Sequence, residues 1–225
     1  VKVFGTDLAL MEQTAREIER VLRAVPGTSS AYAERVIGGY YVEITPDREA
    51  ELQRFFDANP AYFVAVGGEP ARANEAHEEI HGPLPAGWSY TKKWLIGYLD
   101  ARGTMVAMAN VVTDLLAQGV WHIGLFIVET ARHGSGEART LHRGLEDWAR
   151  SHGAAWMRLG VVQGNTRAER FWASEGYVQT RTRDGIEMGR RVNTVRVMVK
   201  PLAGGTLAAY RALVPRDRPE ASATG

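Results

Sequence analysis

The sequence predicts a mixed α/β (α+β) domain, and three observations carry that prediction. The run "VWHIGLFIVE" (Val120–Glu129) reads as a strand that enters a glycine-rich turn, "HGSGEA", and then a long amphipathic helix. The run "AAWMRLGVV" (Ala154–Val162) reads as a second strand, followed by the helix "NTRAERFWASEG". Ahead of both lie two more strand-like runs, Lys93–Asp100 and Thr104–Leu116, with no helical segment between them.

The elements follow in order. "VKVFG" alternates as a strand, Asp7 can cap a helix, and Leu8, Met11, Ala15, Ile18, Leu22 and Val25 recur at helical spacing. Pro26 and Gly27 end that helix, and "SSAYAERV" and "YYVEIT" read as strands around Gly38–Gly39, so residues 1–45 form a β-α-β-β unit. A helix over 47–58 puts Leu52, Phe55 and Phe56 on one face, and short helical pieces and loop run to Thr91. Helix 137–152 repeats Ala138, Leu141, Leu145 and Trp148 toward a core and stops at Gly153. "YVQTRTR" and "NTVRVMVKPL" complete a sheet in a domain spanning 46–214, and "AAYRALV" adds a helical turn. Residues 215–225, "PRDRPEASATG", are polar and proline-containing and are expected to be a disordered tail.

Composition narrows the classes of function. The chain of 225 residues is 45% hydrophobic and 24% charged, with a formal net charge of +1, so no basic excess points to nucleic acid. No apolar run reaches the roughly 18 residues of a membrane span, and no secretion signal is recognisable; a cytoplasmic, membrane-free protein is the expectation. The absence of cysteine excludes disulfides, thiolate metal sites and a cysteine nucleophile, and the six histidines form no HExxH-type pattern, so no metal is expected.

The turn after Glu129 carries the chemistry. A helix N-terminus presents unpaired N–H groups and a favourable dipole to an anion, and Gly134 and Gly136 remove the β-carbons that would obstruct it. "HGSGEA" lacks the lysine of a P-loop and the third glycine of a dinucleotide fingerprint. His133-Gly134-Ser135-Gly136-Glu137-Ala138 resembles motif A, Q/R-x-x-G-x-G/A, of the GNAT superfamily of acetyl-CoA-dependent N-acetyltransferases. "NTRAERFWASEGY" resembles the motif N-x-x-A-x-x-F-Y-x-x-x-G-F/Y of the same superfamily, in the expected order. The resemblance covers residues 46–200. It implies a mostly antiparallel sheet splayed at an acetyl-CoA cleft, between "HIGLFIVE" and "WMRLGVV".

The resemblance also implies roles. Backbone N–H groups of Gly134, Ser135, Gly136 and Ala138 would hold the coenzyme A pyrophosphate, with His133 at the first motif position. Ile127 and Val128 would pair with the pantetheine arm, and the Val128 N–H would polarise the thioester carbonyl. Asn165 would bond the pantetheine or cap its helix, and Trp172 stands beside the coenzyme where many members carry an acidic tyrosine. An indole N–H is no general acid, so Tyr177 is a substitute acid or a core aromatic. His122, eleven residues ahead of His133, occupies the position of the base glutamate of histone-acetyltransferase-like members. It is a base or a hydrogen-bonded core histidine. Glu129, Asp100, Asp114 and Glu79 are further candidate bases. With no cysteine available, direct attack by a small-molecule amine in a ternary complex is the expected mechanism, with a homodimer allowed. A coenzyme-binding module without turnover is the other reading.

"VPGTSSAYAERVIGGYYVEITPDREA" in turn resembles the porter region of heavy-metal efflux pumps of the RND superfamily, over about residues 1–50. Its last strand lies where the acetyltransferase resemblance requires a first strand, so the fused segment is expected to supply it. Acceptor choice is expected to lie in Val66–Lys92, with its acidic and aromatic residues, and in "DGIEMGRRVN", where Arg190 and Arg191 suit an anionic group. Association with metal efflux points toward antibiotics of the aminoglycoside type; amino acids, polyamines and protein N-termini compete.

Overall fold

The computed structural model describes residues 8–26 and 39–220. The strands expected at Val1–Gly5 and in "SSAYAERV", and the cap at Asp7, lie outside them. Helix α1 spans Leu8–Arg23 and ends on Arg20 and Arg23, cations at the negative end of its dipole. Strand β1 (Gly39–Glu43) follows. Helices α2 (Glu49–Ala58), α3 (Pro60–Gly67) and α4 (Glu75–His81) precede β2 (Lys92–Asp100), β3 (Met105–Thr113) and β4 (Val120–Val128). The remainder runs α5 (Glu137–Ser151), β5 (Trp156–Val162), α6 (Thr166–Ser174), β6 (Val178–Met188), β7 (Arg191–Pro201) and α7 (Leu207–Leu213). Among the described residues no helix is long and apolar enough to cross a membrane.

Among the described residues, seven strands form one sheet in the order β1-β2-β3-β4-β5-β7-β6, with β4 and β5 parallel and their neighbours antiparallel. The parallel pairing runs from Val120↔Trp156 to Ile123↔Leu159 and stops there, giving the expected splay. One face buries Trp121, Leu145, Ala149 and Trp172 under α5 and α6, and the other buries Leu52, Phe56, Leu95 and Ile127 under α2 to α4.

"YYVEIT" does enter this sheet. Strand β1 pairs antiparallel with β2 from Gly39↔Asp100 to Glu43↔Ile96, and Ile44 is buried beyond it. Tyr41 meets Tyr98 edge-to-face at 5.2 Å. Its hydroxyl lies against α5 at Gly144, where a β-carbon would approach it to 2.7 Å.

The expectation of a disordered tail from residue 215 is corrected for its first residues. Pro215–Asp217 form a 3-10 turn, and Asp217 is buried at 1% exposure. Its carboxylate accepts from Arg158 Nε at 2.7 Å, Arg158 Nη2 at 3.0 Å and the Tyr210 hydroxyl at 2.6 Å. Burial alone would raise the Asp217 pKa, but the hydrogen bonds and charge of Arg158 hold it below the usual carboxylate value. Composition reads such a segment as solvated; a charge partner 59 residues away overrides it.

Two outcomes are expected. Deleting residues 1–45 removes β1 and the buried Ile44 and should lower stability by roughly 2–5 kcal/mol in urea denaturation; an unchanged midpoint would show β1 to be dispensable. Asp217→Asn leaves the buried Arg158 charge uncompensated and should cost about 3–5 kcal/mol, read the same way. Because the Asp217 pKa is depressed on folding, its contribution is present above the unfolded carboxylate value and disappears as pH falls through the folded one.

Candidate active site

The site begins with one extra residue. Along the β3–β4 pair the register steps from Asn110↔Leu125 to Val111↔Ile123, so Gly124 forms a β-bulge. Beyond it β4 and β5 part, and a cleft of about 520 Å³ opens, floored by Ile123, Gly124, Phe126 and Val128 on one side and Leu159 and Gly160 on the other.

The bulge reverses side-chain alternation. Ile123 and Phe126 face the α5 side, whereas Leu125 and Ile127 face the α2 side. The Glu129 N–H donates to Val106 at 2.8 Å, so by the antiparallel alternation Ile127 turns its peptide groups toward Met108 while Val128 and Phe126 turn theirs into the splay. Phe126, in place of Ile127, therefore shares the cleft-facing amides with Val128. The Val128 carbonyl is held by His133 Nε2 at 2.8 Å, leaving its N–H as the group presented to the cleft.

The glycine turn closes one end. Gly134 and Gly136 have φ of +85° and +87°, in the left-handed region, and a β-carbon on either would meet nothing within 4 Å. Gly136 caps α5, with Gly134, Gly136 and Ala138 on the cleft. Ser135 instead braces the turn: its hydroxyl donates to the Arg132 carbonyl at 2.7 Å and accepts the Glu137 N–H at 3.2 Å. Asn59, at the α2–α3 junction, accepts the Thr130 N–H at 2.8 Å and so ties the turn to the helices above.

The candidate acids and bases separate. His122 lies on the face opposite Ile123 and Phe126, where it accepts from Arg158 Nη1 at 3.2 Å through Nδ1 under the edge of Trp88. Burial, with the Arg158 charge second, lowers its pKa from 6.5 to about 3. The predicted alignment of His122 with Gly124 and Phe126 fails at the bulge, so His122 belongs to the buried Arg158–Asp217 network. Tyr177 is likewise buried, with its hydroxyl 3.0 Å from His142 Nε2, and burial first, then Glu146, raises its pKa; it is no acid at the cleft. Glu129 pairs with Arg132 at 2.8 Å, outside the cleft lining. Asp100 accepts the Arg102 and Thr104 N–H groups in the β2–β3 turn, and Asp114 accepts the Gly119 N–H and the Thr91 hydroxyl in the β3–β4 turn.

Glu79 remains beside the cleft. Its carboxylate accepts a short hydrogen bond from Asn110 Nδ2, and the Asn110 amide carbon lies 3.5 Å from where a Gly124 β-carbon would be. Burial raises the Glu79 pKa against the opposing Asn110 and Lys93. Tyr62 lines the same wall, and burial, then Glu79, raises its hydroxyl pKa. The Asn110 Oδ1 is buried without a hydrogen-bond partner among the described residues.

With this geometry in hand, residues 39–177 match the acetyltransferase (GNAT) family. The chain belongs to that family. Solved structures agree on the fold. The ribosomal-protein-S18-alanine N-acetyltransferase of Escherichia coli is 13% identical, with a TM-score of 0.54, covering 75% of this chain and 97% of that one. The spermidine N-acetyltransferase of Vibrio cholerae, solved with CoA and spermine, is 14% identical, with a TM-score of 0.57, covering 74% and 96%. The cation efflux system protein CusA of Escherichia coli K12 is 40% identical over 97 residues, which are 42% of this chain and 9% of that protein. The chain thus spans about a tenth of the efflux protein's length.

Within the GNAT frame, Asn165 and Trp172 both line the cleft. The Asn165 side chain accepts the Ala168 N–H at 3.2 Å as a helix cap, and Trp172 packs against Phe126 at 5.8 Å. The two expected acceptor segments also meet: Arg190 donates its N–H to the Gly67 carbonyl at 2.8 Å and pairs with Glu69 at 2.6 Å, and Arg191 Nη1 donates to the Ala65 carbonyl at 3.0 Å. Arg190 and Arg191 therefore clamp the β6–β7 hairpin to α3, where the sequence suggested anion binding. Sequence reasoning passed over Tyr62, Asn110, Arg139 and Arg167, of which Tyr62, Arg139 and Arg167 line the cleft. Asn110 had a signal, a lone amide inside the fully buried run "MVAMANVVT".

Replacing His122 by alanine should lower stability by about 1–3 kcal/mol, because Arg158 loses an acceptor in the core. Turnover and its pH profile should be unchanged at temperatures where the variant is folded. A kcat that collapses with the fold intact would return His122 to the catalytic machinery.

Proposed function

We propose that the chain transfers the acetyl group of acetyl-CoA to a primary amine of a small polycationic molecule by direct attack in a ternary complex. The observation that carries this reading is the cleft itself: an anion-ready glycine turn at one end, a strand amide facing the splay, and Tyr62 on the lining, with Glu79 behind Gly124 through Asn110. In this reading the Gly134, Gly136 and Ala138 amides hold the pyrophosphate, with Arg139 and Arg167 beside it at the cleft. Ser135 holds the turn in shape. The coenzyme supplies an activated thioester. After the ammonium gives one proton to solvent, the Val128 N–H bonds the carbonyl oxygen as the neutral amine nitrogen attacks the carbonyl carbon. The C–S bond then breaks, and the proton shed by the amine reaches the thiolate through solvent, since Trp172 is no acid and Tyr177 is engaged by His142.

Glu79 and Tyr62 form the wall that selects the amine. The Glu79 carboxylate attracts a cationic acceptor and orients its attacking nitrogen toward Gly124, next to the splay. Among polycationic amines, aminoglycosides take the first place because of the efflux similarity, and polyamines the second. A coenzyme-binding module without turnover is the competing reading, favoured by Trp172 at the tyrosine position.

A thiol-release assay across aminoglycosides, polyamines, amino acids and N-terminal peptides tests both. Turnover on polycationic amines is expected, and Glu79→Gln should lower kcat/KM for the amine by about 10–100-fold with KM for acetyl-CoA unchanged. Coenzyme binding with no turnover on any amine would establish the module instead.

A further inference from the structure

Side chains from two helices well separated in the sequence meet on the outside of the α2–α4 pair. His77 and His81 stand four residues apart on α4, so their imidazoles share one face, with ring centroids 4.5 Å apart. Glu49, the first residue of α2, reaches between them: its Oε2 lies 3.1 Å from His77 Nδ1 and 3.5 Å from His81 Nε2. The three donor atoms all lie within 4.8 Å of one another.

A hydrogen bond explains the 3.1 Å contact but not the convergence of a second imidazole on the same oxygen at 3.5 Å. A tetrahedral ion does explain it. Nitrogen and oxygen ligands at about 2.0–2.1 Å from zinc stand about 3.3–3.4 Å apart along the tetrahedral edges. The two separations here bracket that value. Arg48 pairs with Glu51 and Arg72 with Glu75, so neither of these arginines is paired with Glu49.

We propose that Glu49, His77 and His81 form a binding site for a divalent first-row transition ion of the zinc type, with water completing the coordination. Two imidazoles and a carboxylate suit such an ion, whereas magnesium and calcium take all-oxygen shells. The frame is prepared in advance. Gln53 on α2 donates to the Arg72 carbonyl at 2.8 Å and accepts the Ala76 N–H at 2.9 Å, fixing α4 on α2. An ion here would clamp the helix that carries Glu79, although its binding does not depend on the catalytic reading.

The test uses the full chain, stripped with chelator and titrated with zinc chloride by calorimetry, alongside thermal melts. One ion per chain and a raised Tm are expected. The His77→Ala/His81→Ala double variant should lose both effects, and Glu49→Gln should weaken binding by at least about tenfold. The imidazoles are 57% and 44% exposed, so the metal-free variants should melt as the metal-free parent does, which circular dichroism checks. Cobalt should give the intense visible absorption of a four-coordinate site in the parent alone. No zinc uptake by the parent, undiminished binding by the double variant, or unchanged affinity in Glu49→Gln would each overturn the proposal.

Discussion

The extra residue at Gly124 is the constraint on which the rest of the site depends. A parallel pair with continuous register would zip β4 to β5 along its whole length and leave no cleft. The bulge interrupts that register after Ile123↔Leu159, and the two strands diverge with their edges unpaired. Unpaired strand amides in an otherwise buried sheet demand partners, and the Val128 carbonyl has already found one in His133. The N–H it leaves over faces the splay, as the edge of a sheet faces an added strand. Asn110 stands beside Gly124, close enough to be in van der Waals contact with a β-carbon there, and holds Glu79 in turn.

The closed half of the same strand pair is held differently. His122 and Arg158 sit opposite each other in the register, and Arg158 is buried with Asp217 and Tyr210 around it and the Trp88 ring facing its guanidinium. A buried ion pair is a weak source of net stability, because desolvation offsets the attraction. Its value here is positional. It requires the segment after α7 to return beneath the sheet, and it holds the β4–β5 pair together immediately before the point where it must open. The wedge shape of the cleft follows from a locked end and a bulged end on one pair of strands.

The contrast between what the sequence revealed and what it concealed follows from range. The glycine turn and "NTRAERFWASEGY" were legible because their chemistry is local: positive φ, a helix N-terminus, a cap at Asn165. The strand from "YYVEIT" was legible because strand propensity and position agreed. The bulge was not, since counting by twos through Gly124 gives a consistent but inverted face for His122. The order at Asp217 and the meeting of Glu49 with His77 depend on partners 59 and 28 residues distant, which no local pattern encodes. Glu79 was legible as an acid but not as a half-buried one, because its cover comes from Asn110 on β3 and not from α4.

Helix α4 has seven residues, too few to be stable as an isolated helix in water. Its place is imposed from outside: Ala76 is fully buried, Gln53 accepts the Ala76 N–H, and Lys93 Nζ donates to the carbonyls of Glu79 and Gly82. The Lys93 ammonium thus sits at the negative end of the helix and compensates the carbonyls that have no partner beyond it. The same ammonium lies near enough to oppose the burial that raises the Glu79 pKa. One lysine on β2 therefore does two things that would otherwise conflict: it ends the helix, and it makes a half-buried carboxylate tolerable beside an apolar cleft. A short helix carrying a half-buried carboxylate is a costly arrangement by itself, and it persists because the sheet, not the helix, fixes where that carboxylate stands.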